Sequence, residues 1–184
     1  MGIKAADREN WKKLDENTVV LHHYARAKMI PDGSPFGLKM ETYLRMADIK
    51  YENDFKYPQS PKGKTPWITV NDKDVSDSQL AIEYLEKLLE KSLNDHLTAE
   101  QAAVARAFQV MLDDRFTCVL ANDRLVYGQD KVIMALPRPK FTHPFMMKLF
   151  KRGTVKAAPG HGIGRYSEEE VKKIGLADLK VGGN

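Results

Sequence analysis

A chain of 184 residues that is 42% hydrophobic and 29% charged has enough apolar material for one large domain or two small ones, each with its own core. Its single cysteine, Cys118, excludes an internal disulfide framework and an all-cysteine metal site and favours a reducing compartment. The net charge of +4 hides an asymmetry: residues 1–130 carry 18 basic and 21 acidic side chains, whereas residues 131–184 carry 11 and 4. No apolar run approaches the roughly 18 residues that a membrane helix needs. The first residues have no signal-peptide core, and Ala6 stands where an acylation signal calls for Ser or Thr, so the cytoplasm is the expected location.

Residues 1–17 are polar and read as a loose lead-in. The run TVVLHHY, Thr18 to Tyr24, is β-rich and predicts a buried strand. His22 and His23 are adjacent, so in a strand they face opposite ways. The five histidines show no metal-ligand spacing, and structural roles are expected for them. After a turn at Pro31-Asp32-Gly33, Ser34-Pro35 opens a helix that continues to about Ala47. Its buried side carries Phe36, Met40, Tyr43, Leu44 and Ala47. A second strand follows at Tyr51 to Phe55, and the strand-helix-strand order implies a parallel pair.

From Ser60 to Leu85 the sequence SPKGKTPWITVNDKDVSDSQLAIEYL predicts a β-hairpin feeding a helix. The helix has Leu80, Ile82, Leu85, Leu88 and Leu89 on its apolar face. Two dipeptides carry potential chemistry. Pro66 cannot donate a backbone N–H, so Thr65-Pro66 belongs at a strand start or edge, and a cis bond is open to it. Asp77-Ser78 stands at a helix N-terminus, whose unpaired N–H groups and positive dipole end suit a carboxylate. An ordinary turn proline and an ordinary helix cap are the competing readings.

Ser92 to Leu97 is a polar linker. Thr98-Ala99-Glu100-Gln101 has capping-box form and starts a long helix to about Arg124. Cys118 falls among its apolar positions, the setting of an inert core thiol. Another helix is predicted from Pro144 to Val155 and a third from Ser167, with Gly160 to Gly164 as a loop between them rather than a phosphate cradle. Lys131 to Tyr166 contains eight Lys or Arg and no acid, interleaved with Phe141, Phe145, Met146, Met147, Leu149 and Phe150. Such a segment is either a helix with a solvated basic face or a contact for anionic lipid, nucleic acid or an acidic partner.

The element order βαβ followed by ββα is that of a thioredoxin-like domain. The pattern Ser60-Pro61-x-Gly63-x-Thr65-Pro66, a hairpin, then Asp77-Ser78 resembles the glutathione-binding half of glutathione transferases. SPFGLKMETYLRMADI, SPKGKTPWITVN, SDSQLAIEYL, LTAEQAAVARAF and GHGIGRYSEEEV are similar, in order, to segments of the failed axon connections proteins and their metaxin-related relatives. The implied architecture is α/β plus all-α: a thioredoxin-like domain over residues 18–91, the linker 92–97, and a helical transferase-type domain over 98–184. Proteins of this family continue with further helices, so a truncated C-terminal domain is expected, from a shortened isoform or an incomplete gene model.

By the same resemblance, Lys64, Thr65, Pro66, Asp77 and Ser78 would bind glutathione as ligand or co-substrate, with no tightly bound cofactor and no metal. Ser34 would face the sulfur; the plain N-cap role needs the same residue in the same place. Ser34-Pro35-Phe36-Gly37 stands where a redox-active member carries two cysteines, which excludes a dithiol oxidoreductase. A homodimer, protein partners, and an anionic membrane surface met peripherally are the remaining partners to consider. Nucleic acid is not expected, because no recognition motif accompanies the charge.

Overall fold

Every residue of the first strand, β1 (Val19–His22), is buried, so both faces of the sheet around it need a covering layer. The structure, a computed structural model, describes residues 2–26, 30–128, 140–160 and 162–182. The chain divides into two compact units, Met1–Asp95 and His96–Asn184.

In the first unit a four-stranded mixed sheet has the order β2-β1-β3-β4. β2 (Tyr51–Asp54) runs parallel to β1, and β3 (Trp67–Val70) pairs antiparallel with both β1 and β4 (Lys73–Ser76). Asn71 and Asp72 close the hairpin at φ of 48° and 62°, the twist that two-residue hairpin loops favour and these side chains tolerate. Helices α1 (Ala5–Trp11), α2 (Pro35–Met46) and α3 (Ser78–Leu89) supply the two covering layers.

α2 and α3 share one face. Val19, Leu21, Ile68 and Val70 of the sheet meet Met40, Tyr43 and Leu44 of α2 and Ala81 and Leu85 of α3 in one core. Leu80, expected on the packed side of α3, is 53% exposed. The helix turns its Ser78, Ala81 and Leu85 stripe inward instead, where the small alanine permits a close approach to the sheet.

The lead-in is a helix rather than loose chain, and it serves the other face. The Trp11 ring meets His22 edge-on at 4.7 Å and Tyr57 at 5.9 Å. Both terminal guanidinium nitrogens of Arg8 donate to the Asp74 carboxylate. Tyr57 accepts from the Lys4 backbone N–H at 3.0 Å and donates its hydroxyl to Asp7 at 2.5 Å. Against this face His22 is fully buried, stacked on Trp67 at 3.6 Å, with Nδ1 2.6 Å from Asp54 and Nε2 3.0 Å from Thr69. Burial pushes its imidazole below the ordinary value against the pull of Asp54.

The second unit begins with α4 (Ala99–Val110), capped reciprocally by Thr98 and Gln101 as the capping box predicts. The helix continues through a π-helical turn (Met111–Phe116), α5 (Thr117–Asn122) and a second π-helical turn (Asp123–Tyr127). The Thr117 hydroxyl donates to the Leu112 carbonyl five residues back at 3.0 Å, satisfying an acceptor in the wider first turn. α6 (His143–Ala157) and α7 (Glu168–Gly182) complete the unit. Its core joins Val119, Ala158, Ile163 and Val171. A Cβ on Gly175 would stand 2.6 Å from Val119, so α7 lies against α5 as closely as a missing side chain allows. Burial pushes the Cys118 thiol up, which agrees with an unreactive core position. Of the basic segment, residues 131–139 lie outside the described residues.

Candidate functional site

The strand register gathers three chain segments at one end of the sheet. His22, the last residue of β1, is opposite Trp67, the first of β3, and Trp67 is opposite Ser76, the last of β4. The chain leaving β1 leads to Ser34, the chain entering β3 is Thr65-Pro66, and the chain leaving β4 is Asp77-Ser78. Antiparallel pairing therefore brings Thr65-Pro66 and Asp77-Ser78 to one end of the sheet, and Ser34 is tied to that end through Asp32 and His23.

The Thr65-Pro66 peptide bond is cis, and Pro66 is fully buried. The Thr65 hydroxyl oxygen is buried without a hydrogen-bond partner among the described residues, which is costly unless a ligand or water serves it. The preceding turn is tied to itself: Ser60 N–H donates to the Lys64 carbonyl at 2.9 Å and Lys64 N–H to the Ser60 hydroxyl at 3.2 Å. That leaves the Lys64 side chain in solvent at the rim.

Asp77 adopts φ 84° and ψ 135°. A non-glycine residue held there costs of order 1–3 kcal/mol and persists only where its surroundings impose it, a pattern concentrated at binding and active sites. Its carboxylate accepts the Gln79 N–H at 3.0 Å, so it caps α3. Ser78, the first helical residue, is 4% exposed. Lys39 of α2 donates to the Gln79 side chain at 3.0 Å, joining the two helices beside the site.

Ser34 is buried at the N-cap position of α2, yet its side chain makes no cap hydrogen bond. Asp32 instead holds the backbone of the N-cap residue. Its Oδ1 accepts the Ser34 N–H at 2.7 Å, and its Oδ2 lies 2.5 Å from Nδ1 of the fully buried His23, whose Nε2 lies 2.9 Å from Asn53. Gly37 makes room for this carboxylate, since a Cβ there would lie 1.9 Å from Oδ2. Sequence reasoning named Ser34 and expected a structural role for His23, which its hydrogen bonds fit, but did not bring Asp32 and Gly37 to it. The Asp-Gly-Ser-Pro run did hold a signal, because an aspartate commonly accepts the N–H two residues on.

A glutathione S-transferase N-terminal domain family model matches residues 35–129. Failed axon connections of Drosophila melanogaster is 34% identical, over 91% of this chain and 44% of that protein; the chain thus spans less than half of that relative. The isoprene-epoxide–glutathione S-transferase of Rhodococcus sp. (strain AD45) is 28% identical over 88% of this chain and 73% of its own length. Among solved structures, a glutathione transferase of Phanerochaete chrysosporium superposes with a TM-score of 0.57 at 16% identity, covering 90% of this chain and 71% of that one. The beta-etherase LigF of Sphingobium sp. strain SYK-6 gives 0.53 at 17%, covering 89% and 70%. A thioredoxin-like first unit, a helical second unit and the matched residues lead to one assignment: the chain belongs to the glutathione S-transferase N-terminal domain family.

Proposed function

We propose that the chain is a glutathione-binding, transferase-like protein. The observation that carries this reading is the convergence, at one sheet end, of Thr65-Pro66 with the N-terminus of α3 behind Asp77, whose φ is 84°. In this reading the Thr65 backbone pairs with the cysteinyl part of glutathione. Asp77 and Ser78 hold the ammonium and carboxylate of its γ-glutamyl end, Lys64 meets the glycyl carboxylate, and Ser34 faces the sulfur. The Rhodococcus relative, named for glutathione, supports the choice of ligand. Calorimetric titration with glutathione tests it. Binding abolished by Asp77→Ala with Ser78→Ala is the expected result, and no binding at millimolar ligand overturns it.

One observation favours a second reading, a non-catalytic scaffold that meets proteins or anionic membrane surfaces from the cytoplasm through its basic segment. The cationic α6 leaves Phe145 and Leu149 exposed, and a solvated basic face has no need of large apolar groups. Conjugation of glutathione to an activated aryl chloride by the purified chain would remove that reading.

A further inference from the structure

α6 turns two ridges to solvent. Phe141, in the turn leading into the helix, Phe145 and Leu149 follow one another at four-residue spacing and are 84%, 72% and 60% exposed. Lys148, Arg152 and Lys156, all exposed, have the same spacing and form the neighbouring ridge, three residues displaced. The apolar ridge borders a cleft of about 330 Å3, which Leu149 lines together with Phe150 and Thr154 and with Cys118 and Asn122 of α5. The sequence from Lys131 to Tyr166 contributes no acid to offset the cations.

Whatever covers this face must supply apolar depth and negative charge together. A second copy of the chain in a two-fold contact would set Lys148, Arg152 and Lys156 against their own kind. A protein partner would bury a lysine-rich patch of the sort depleted from interface cores. Nucleic acid offers phosphates, yet it has no apolar layer to receive Leu149. A bilayer surface bearing anionic headgroups supplies both, with acyl chains just below the phosphates and room for Lys and Arg stems to lie along the apolar ridge while their charges reach outward.

We infer that α6 docks the chain on an anionic lipid surface, with Phe141, Phe145 and Leu149 entering the headgroup–acyl boundary and Lys148, Arg152 and Lys156 on the lipid phosphates. The inference names the partner of the scaffold reading and rests on it, and it stands apart from glutathione binding.

Sedimentation of the whole chain with phosphatidylcholine vesicles, with and without phosphatidylserine, tests it. Binding is expected to the anionic vesicles alone and is expected to fall as the Debye length shrinks from about 10 Å at 0.1 M salt to about 3 Å at 1 M. Each basic contact is worth about fivefold in affinity, so loss of three costs on the order of 100-fold, and the charge-reversed variant Lys148→Glu, Arg152→Glu, Lys156→Glu loses at least that. Phe145→Ser with Leu149→Ser weakens binding while leaving its salt dependence. All these positions are exposed, and circular dichroism of each variant verifies the fold. Equal binding to neutral vesicles, undiminished binding by the charge-reversed protein, or no binding at all overturns the inference. So does a dimer that dissociates on Phe145→Ser with Leu149→Ser, or release from vesicles by duplex DNA but not by inorganic phosphate. The scaffold reading fails on a different measurement, the conjugation assay above, so the two failures are distinguishable.

Discussion

Asp32 Oδ1 accepts the backbone N–H of Ser34 at 2.7 Å, while the Ser34 hydroxyl makes no cap hydrogen bond. Asp32 thus holds the Ser34 backbone while the serine hydroxyl takes no part in capping α2. Removing Asp32 unties the helix start and deprives buried His23 of its partner, so Asp32→Ala is expected to cost about 2–4 kcal/mol. Ser34→Ala is expected to cost less than about 0.5 kcal/mol, against the ~1 kcal/mol of a hydroxyl cap. Urea unfolding midpoints of the two variants check the ranking.

If Ser34 activates a bound thiol, its hydrogen bond to the thiolate is worth on the order of 1.5–3 kcal/mol, or one to two pKa units. Thiolate absorbance of the glutathione complex across a pH titration is therefore expected to show a lowered midpoint, restored toward that of free glutathione by Ser34→Ala. An unshifted wild-type midpoint removes Ser34 from the chemistry.

Gly37→Ala places a methyl group where the Asp32 carboxylate lies, 1.9 Å from Oδ2. A loss of about 1–3 kcal/mol is expected from the overlap. Because both changes act on one contact, the double variant with Asp32→Ala is expected to be less destabilised than the two single losses added together. A thermal or urea double-mutant cycle measures the coupling.

Asp77 combines a strained φ of 84° with a cap to Gln79. Glycine adopts that φ freely and caps nearly as well, whereas alanine does neither. Asp77→Gly is therefore expected to leave stability within about 1 kcal/mol of wild type and Asp77→Ala to lower it by about 1–2 kcal/mol. Both lose glutathione affinity in calorimetry if the carboxylate holds the ammonium.

The Arg8–Asp74 contact makes the docking of α1 sensitive to acid. Burial raises the Asp74 carboxyl, but hydrogen bonds from Arg8 and Thr69 outweigh it and hold it below 3.8. Asp54 is likewise held low by His22 and by the backbone N–H groups of Lys56 and Tyr57, against its burial. A folded-state value below the unfolded one contributes stability that is fully present above the unfolded value and lost as pH falls through the folded value. Stability is accordingly expected to drop below about pH 4, with a shallower drop in Asp74→Asn, as read from denaturant midpoints across that range.

What the sequence determined by itself was local. The strand and helix periods, the Ser34-Pro35 helix start, the boxes Thr98–Gln101 and Ser167–Glu170 and the end-to-end element order depend on neighbours within a few residues, so they were legible without a structure. The order of elements already implied that Thr65-Pro66 and Asp77-Ser78 belong to one hairpin-helix unit. Other features were settled only by the tertiary structure. α1 looks like loose polar chain because its partners Tyr57 and Asp74 lie 53 and 66 residues away, and contacts at that range leave no periodic trace near Arg8. The hold of Asp32 on the Ser34 N–H depends on His23 and Gly37 closing around the carboxylate. The left-handed backbone of Asp77 and the solvent-facing ridges of α6 have the same origin: local propensity opposes the first and is silent on the second, and it is the packing of the rest of each unit that decides both.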